Sequence, residues 1–336
     1  MKRSAIFILV LLIIFTSCQK ENVSIQSEEQ AKLSRLIKKL EDTGYNLTSE
    51  IVRLADFYEF LLAKKDSLKQ FHEPSKYEFN GGPFSNNLPG EDSVLSSLSI
   101  LNTTPDYAQA LDEVVYTNGL DSAFKRLINR YKVVAQIYAN SKNQVSRVYP
   151  SFDAMNLVNP NIDVKDFNFY YEADLENNPS KGPIWIPEPY VDPAGRGWIL
   201  SLIHPVFENE ELFAVLGIDV KVDVVIERFL DEEEGNLLIV NKKGDIVAGK
   251  ASAIEALSMP PLKNHVYRET IKEDNFRVSD FNLFNSKSLD VRKMIQDFNL
   301  KGSTYYKFED EPYLIDAYCQ SFNLIDWYLI EINTKI

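Results

Sequence analysis

Two alternating runs, Trp198–Phe207 and Leu212–Val220, constrain this chain more than any other feature. Side chains on a strand point to opposite faces with a period of two, so such runs suit neighbouring antiparallel strands with one face on a core. Upstream, Trp185, Ile186 and Tyr190 lead into Pro-Ala-Gly at 193–195, a strong hairpin signal. The whole stretch from Asp163 to Asp219 carries four carboxylates (Asp163, Asp166, Asp192, Asp219) and several aromatic rings. Carboxylates beside rings make a cup for a small cation rather than a set of reacting groups.

The same pattern recurs along the chain. Val133–Ala139 and Gln144–Tyr149 flank Ser141-Lys142-Asn143, and Asn236–Asn241 and Ile246–Ala248 flank Lys242-Lys243-Gly244-Asp245. Both are hairpin signals. Further strands are expected at Ser303–Phe308, Pro312–Cys319 and Trp327–Asn333. A hairpin, an insert and closing strands thus occur twice, at about 133–220 and 236–333, with no residue-level period. Apolar residues at helical spacing (Leu33, Leu36, Ile37, Leu40, Leu47, Ile51, Leu54, Tyr58, Leu61) predict one long amphipathic helix, or two meeting at a kink at Gly44. A coiled-coil dimer is the other use of such a stripe. Shorter helices are expected near 93–101, 105–116, 120–130, Phe167–Leu175, Val222–Leu230 and Ser288–Phe298. The fold class is α+β: a long N-terminal helix, then two small units with antiparallel sheets.

The 336 residues provide for two domains, and the net charge of −13 disfavours nucleic acid and anionic lipid surfaces as partners. No P-loop, GxGxxG or GxSxG pattern is present. His72, His204 and His265 are far apart, and no Cys or His pairing has metal-ligand spacing. The sequence offers no catalytic residue, metal site or cofactor, and reads as a non-enzyme. Cys319 lies in a strand-like run as a small core residue.

The N-terminus resembles a bacterial lipoprotein signal. Lys2 and Arg3 precede an apolar run from Ala5 to Phe15, too short for a comfortable membrane span, and Thr16-Ser17-Cys18 follows. The resemblance implies a signal peptide over 1–17 and lipidation of Cys18, with 18–30 as a tether. Lipid anchoring would place the protein in the cell envelope, at the outer membrane, on its periplasmic face or at the cell surface. Gln19-Lys20-Glu21 resembles the tag of surface-exported lipoproteins.

The central stretch resembles double Cache (dCache) domains, the PAS-like extracytoplasmic sensor modules of chemoreceptors and sensor kinases. The resemblance rests on Tyr170-Tyr171-Glu172-Ala173, Pro189-Tyr190-Val191-Asp192, His204-Pro205-Val206-Phe207 and Gly217-Ile218-Asp219-Val220. It implies a long helix over 31–70, a membrane-distal Cache unit with the ligand pocket over 71–231, and a membrane-proximal Cache unit over 232–336. In amino-acid-sensing members an arginine clamps the ligand carboxylate, and aspartates take the ammonium. Carried over, the clamp position is Asn168, the family's tryptophan is Tyr170, and Tyr171, Tyr190, Asp192 and Asp219 form the ammonium side.

Asn cannot make the bidentate, charge-assisted pair of a guanidinium. Lys165 and Arg196 are the nearby alternatives for that role. Asp219 has a second reading, as N-cap of the helix that follows. The expected function is an extracytoplasmic sensor-type lipoprotein that binds a small amine or amino-acid-like cation. Such a protein would pass the ligand or a change of shape to a protein partner. The alternative is a cell-surface structural or interaction lipoprotein with a non-functional pocket.

Overall fold

The computed structural model describes the backbone of residues 2–70, 76–85, 94–192, 197–259 and 281–335, and within these the side chains from residue 26 onward except that of Val191. The apolar stripe lies on one helix, α1 (Lys2–Ala63), which runs through Gly44 without a break and also includes residues 18–30. A mid-helix glycine costs about 1 kcal/mol relative to alanine. Burial of Leu47, Ile51, Leu54 and Tyr58 just beyond it outweighs that cost. The stripe is covered by the chain's own residues, so no second helix is needed to shield it.

The chain divides into two compact units. Thr43–Arg228 builds one, and Met1–Asp42 with the described residues from Phe229 onward builds the other. The first unit holds a seven-stranded antiparallel sheet: β1 (Ser97–Ile100), β2 (Val134–Ser141), β3 (Val145–Tyr149), β4 (Ile184–Trp185), β5 (Tyr190–Val191), β6 (Trp198–Glu208) and β7 (Glu211–Lys221). The order is β1-β3-β2-β7-β6-β4, with β5 also on β6. The two alternating runs form the long β6/β7 hairpin, turned by Asn209 and Glu210 at φ 50° and 68°. Left-handed residues at both turn positions match the right-handed twist of the flanking strands. Pro-Ala-Gly at 193–195 lies outside the described residues; the segment before it supplies β4 and β5, both paired with β6.

Ser97–Ile100 is a strand, not part of the helix expected at 93–101. All four of its residues are buried, and it pairs along its length with β3. A strand covered on both faces loses its visible alternation, and Leu95, Leu98 and Leu101 then mimic helical spacing. The helix expected over Phe167–Leu175 is a single turn, Asn168–Tyr171. Helices α2 (Tyr107–Tyr116) and α3 (Gly119–Arg130) cover one face of the sheet. From β3, Arg147 reaches into them and meets Asp121 of α3 at 2.5 Å and the Val114 carbonyl and Thr117 at 3.0 Å. The opposite face, with Ser146 and Val148, looks toward the irregular segment 150–192.

The second unit repeats this topology with β8 (Asn236–Asn241), β9 (Ile246–Gly249), β10 (Tyr305–Lys307), β11 (Leu314–Ser321) and β12 (Trp327–Thr334), in the order β10-β11-β12-β8-β9. In both units the first strand of an early hairpin pairs with the last strand of the unit. That last strand also pairs with the strand before it. The repeat is therefore one of connectivity. Its core is filled: α4 (Leu289–Lys301) lays Val291, Met294, Ile295 and Phe298 against Val240, Ala317, Ile330 and Ile332. Ser288 caps α4 by accepting from the Val291 N–H, and Gly302 ends it in the left-handed region at φ 65°. Cys319 is buried in the same cluster, and burial pushes its thiol well up. Lys32 of α1 pairs with Glu331 of β12 at 2.5 Å, and Glu41 accepts from the Asn323 and Leu324 N–H groups. Among the described residues no helix is long and apolar enough to cross a membrane.

Candidate functional site

In the first unit a cavity of about 90 Å³ lies between the open face of the sheet and segment 150–192. The strands supply its floor. On β2, Gln136, Tyr138 and Asn140 share one face because they are two residues apart. Ser146 and Val148 of β3, Ser99 of β1 with the adjoining Leu101, and Asp219 of β7 complete it. Phe152, Val158, Ile162, Val164, Phe167, Phe169, Tyr190 and Asp192 close it from the other side.

One end is acidic. Asp219 is wholly buried and Asp192 is 4% exposed. Asp219 accepts from the Ser201 hydroxyl and from Gln136 Nε2, each at 2.5 Å. Ser201 spends its single proton on Asp219, so the Tyr190 hydroxyl, 2.7 Å away, is the donor to Ser201. The lone pairs of Tyr190 are left to accept from a further donor. Gln136 Oε1 is buried without a partner, and the Tyr138 hydroxyl sits near Tyr190 and Ser201 without a well-formed hydrogen bond. Burial, followed by the charge of Asp219, pushes the Tyr190 hydroxyl far up. Burial, followed by Tyr190 and Asp219, does the same to Tyr138. Both phenols therefore stay neutral. Among the described residues no Lys, Arg or His lines the cavity, and no group of three or more His, Cys, Asp or Glu is placed to hold a metal.

Tyr138 can stand where it does because its neighbour across the ladder is Gly217. A Cβ at that position would lie 1.9 Å from the Tyr138 ring. The Gly217-Ile218-Asp219 run thus carries two functions: the glycine admits the ring, and two residues on the aspartate reaches the same face.

The expected site residues separate into two groups. Tyr190, Asp192 and Asp219 come together at the acidic end. Asn168, Tyr170 and Tyr171 do not line the cavity. Asn168 Oδ1 accepts from the neighbouring Phe169 N–H, Tyr170 is buried in a core cluster with Val164, Ala173 and Val215, and Tyr171 is 42% exposed. The cavity-facing residues of this segment are Phe167 and Phe169, one position earlier, with ring centroids 5.2 Å apart. The single helical turn at 168–171 is the reason, since it turns Tyr170 into the core and Tyr171 outward. Asn168, the expected clamp position, therefore does not face the cavity, and the apolar Phe167 does.

Asp219 is not a helix cap. The helix that follows, Val222–Val225, has Lys221 at its N-cap, with no side-chain capping bond. Lys165 does not line the cavity, and Arg196 lies outside the described residues. His204 contacts the Pro205 carbonyl through Nδ1 at 2.7 Å and takes no part in the cavity. Sequence reasoning missed Gln136, Tyr138, Phe167 and Phe169. The alternation of β2 was visible, but which of its faces is functional emerges only from its pairing with β7.

No protein-family model matches the chain, and no curated protein matches it. Among solved structures it is similar to the ligand-binding domain of the Campylobacter jejuni chemoreceptor Tlp3, solved with L-norvaline. The identity there is 11%, over 91% of this chain and 91% of that one, with a TM-score of 0.41. The ligand-binding domain of the Pseudomonas aeruginosa amino acid chemoreceptor PctB, solved with L-Gln, is 15% identical over 61% of this chain and 69% of that one (TM-score 0.42). The extracellular domain of the putative histidine kinase mmHK1S-Z3 is 11% identical over 63% and 77% (TM-score 0.40).

Proposed function

We propose that this protein is an extracytoplasmic ligand-binding lipoprotein of the sensor type, whose first unit holds a small amine through Asp192, Asp219 and Tyr190. The observation that carries the reading is the acidic end of the cavity. Two buried carboxylates, an unpartnered amide oxygen on Gln136 and the Tyr190 hydroxyl converge with no cation among the described lining residues. These groups are acceptors. An ammonium would bring a positive charge and donors to them. The faces of Tyr138, Tyr190, Phe167 and Phe169 can add about 0.5–2 kcal/mol of cation–π attraction. The cavity is open space, which favours a binding protein over a scaffold whose pocket is closed by its own side chains.

Attachment to the membrane would be through lipid on Cys18, as its place at the end of the Ala5–Phe15 apolar run suggests. The ligand, or a ligand-dependent shape, would pass to a protein partner. Titration calorimetry of the purified protein against primary amines tests the site. Binding should weaken at least about ten-fold in Asp192→Asn and in Asp219→Asn, the loss expected for one charged hydrogen bond. Absence of binding by any amine, or affinities untouched by both substitutions, would sink the reading.

A further inference from the structure

The floor of the cavity is a ladder of three rungs. In the first, Gln136 pairs with Asp219, and Asp219 with Ser201. In the second, Tyr138 stands between Val148 and Gly217. In the third, Asn140 pairs with Ser146, and Ser146 with Ser99. The first and third rungs are four residues apart along β2, about 13 Å at about 3.3 Å per residue. The acidic end therefore has a counterpart well down the cavity.

That far rung is polar and neutral. Asn140 and Ser99 are each 5% exposed and line the cavity. Ser146, which stands between them on the ladder, lines the cavity as well. Between the two polar ends the walls are apolar: Val148 and Tyr138 below, with Val158, Val164, Phe167 and Phe169 opposite.

We infer that the cavity takes an elongated primary amine with an apolar middle and a neutral hydrogen-bonding group, a hydroxyl or a carboxamide, at its far end. The inference rests on the amine reading above and narrows it. An α-amino acid carries its carboxylate on the carbon that bears the ammonium. That would set a third negative charge beside Asp192 and Asp219, and no cation among the described lining residues is there to receive it. A plain alkylamine would satisfy the acidic end and offer nothing to Asn140 and Ser99. A far-end carboxylate would meet neutral donors only.

Calorimetric titration of the full protein with four probes tests this: aminopentanol with its groups at opposite ends, pentylamine, ω-aminopentanoate and norleucine. Aminopentanol should bind about five-fold more tightly than pentylamine, the gain of one net hydrogen bond. Pentylamine should in turn outbind ω-aminopentanoate and norleucine. Ser99→Ala and Asn140→Leu should erase the advantage of aminopentanol while pentylamine still binds, which also shows that these variants are folded. If pentylamine equals aminopentanol, or if norleucine binds best, the far-end assignment is overturned and the amine site stands. If none of the four binds, the amine reading falls and the inference falls with it.

Discussion

Gly217 is the position where one methyl group should disable the site. In Gly217→Ala the new Cβ would meet Tyr138 Cζ at 1.9 Å and its hydroxyl oxygen at 2.3 Å, where ordinary contact begins at 3.4 Å. The backbone on both sides is held in register, Tyr138 opposite Gly217 and Ile137 opposite Ile218, so the ring must move. It can move only off the sheet, into the cavity that Phe169 closes from above, 5.4 Å away by ring centroids. Overpacking of this kind costs about 1–3 kcal/mol. The adjoining open space keeps the figure near the low end, with a fall in Tm of about 2–4 °C per kcal/mol for a unit of this size. Binding should suffer more than stability, because the displaced ring occupies ligand space.

Thermal unfolding by circular dichroism and calorimetry with a primary amine, both on the same preparation, separate the two effects. The double variant Gly217→Ala with Tyr138→Leu removes the colliding atoms and should recover most of the stability. A strong, non-additive coupling between the two sites is therefore expected. A Gly217→Ala protein with unchanged affinity and Tm would refute the steric argument. Additive effects in the double variant would show that Tyr138 is not what the methyl group meets.

Three other outcomes are expected. Glu113 is buried, accepting from Tyr58, Ser141 and Asn143 at 2.9 Å each, and burial pushes its carboxyl up to about 7. A raised acid binds its proton more tightly in the folded state. Its contribution is complete below about pH 4.5 and is lost as pH rises through about 7, on the order of 3 kcal/mol in all. Urea unfolding across that range should show the decline, and Glu113→Gln should flatten it. Asp121→Asn strands Arg147 as an unpaired buried guanidinium and should cost about 3–5 kcal/mol in chemical denaturation. Under the anchor proposal, Cys18→Ser should move the protein from the membrane fraction to the soluble fraction and abolish fatty-acid labelling.

Much of the architecture was legible along the chain. The stripe from Leu33 to Leu61 announced α1, the alternating runs announced β6 and β7, and turn residues marked the β2/β3 and β8/β9 hairpins. Periodicity reports an element whenever one face is wet and the other dry. It fails at Ser97–Ile100, where both faces are covered. The aspartates at 192 and 219 and Tyr190 were singled out through the resemblance of Pro189-Tyr190-Val191-Asp192 and Gly217-Ile218-Asp219-Val220 to sensor domains, and the sheet sets Tyr190 opposite Ile199 and Asp219 opposite Ser201.

Other features belong to the tertiary structure alone. A period of two says that neighbours on β2 face opposite ways, but not which way is the cavity. That choice is made by β7, where Gln136 meets Asp219 across 83 residues and Tyr138 meets a glycine with room for its ring. The turn at Asn168–Tyr171 likewise decides that Phe167 and Phe169, rather than Asn168 and Tyr170, face the space. Local sequence set the strands and helices that have one wet and one dry face, because these depend on spacing and turn chemistry. Long-range pairing set which side chains share a cavity, because contact between distant segments exists only once the sheet is assembled.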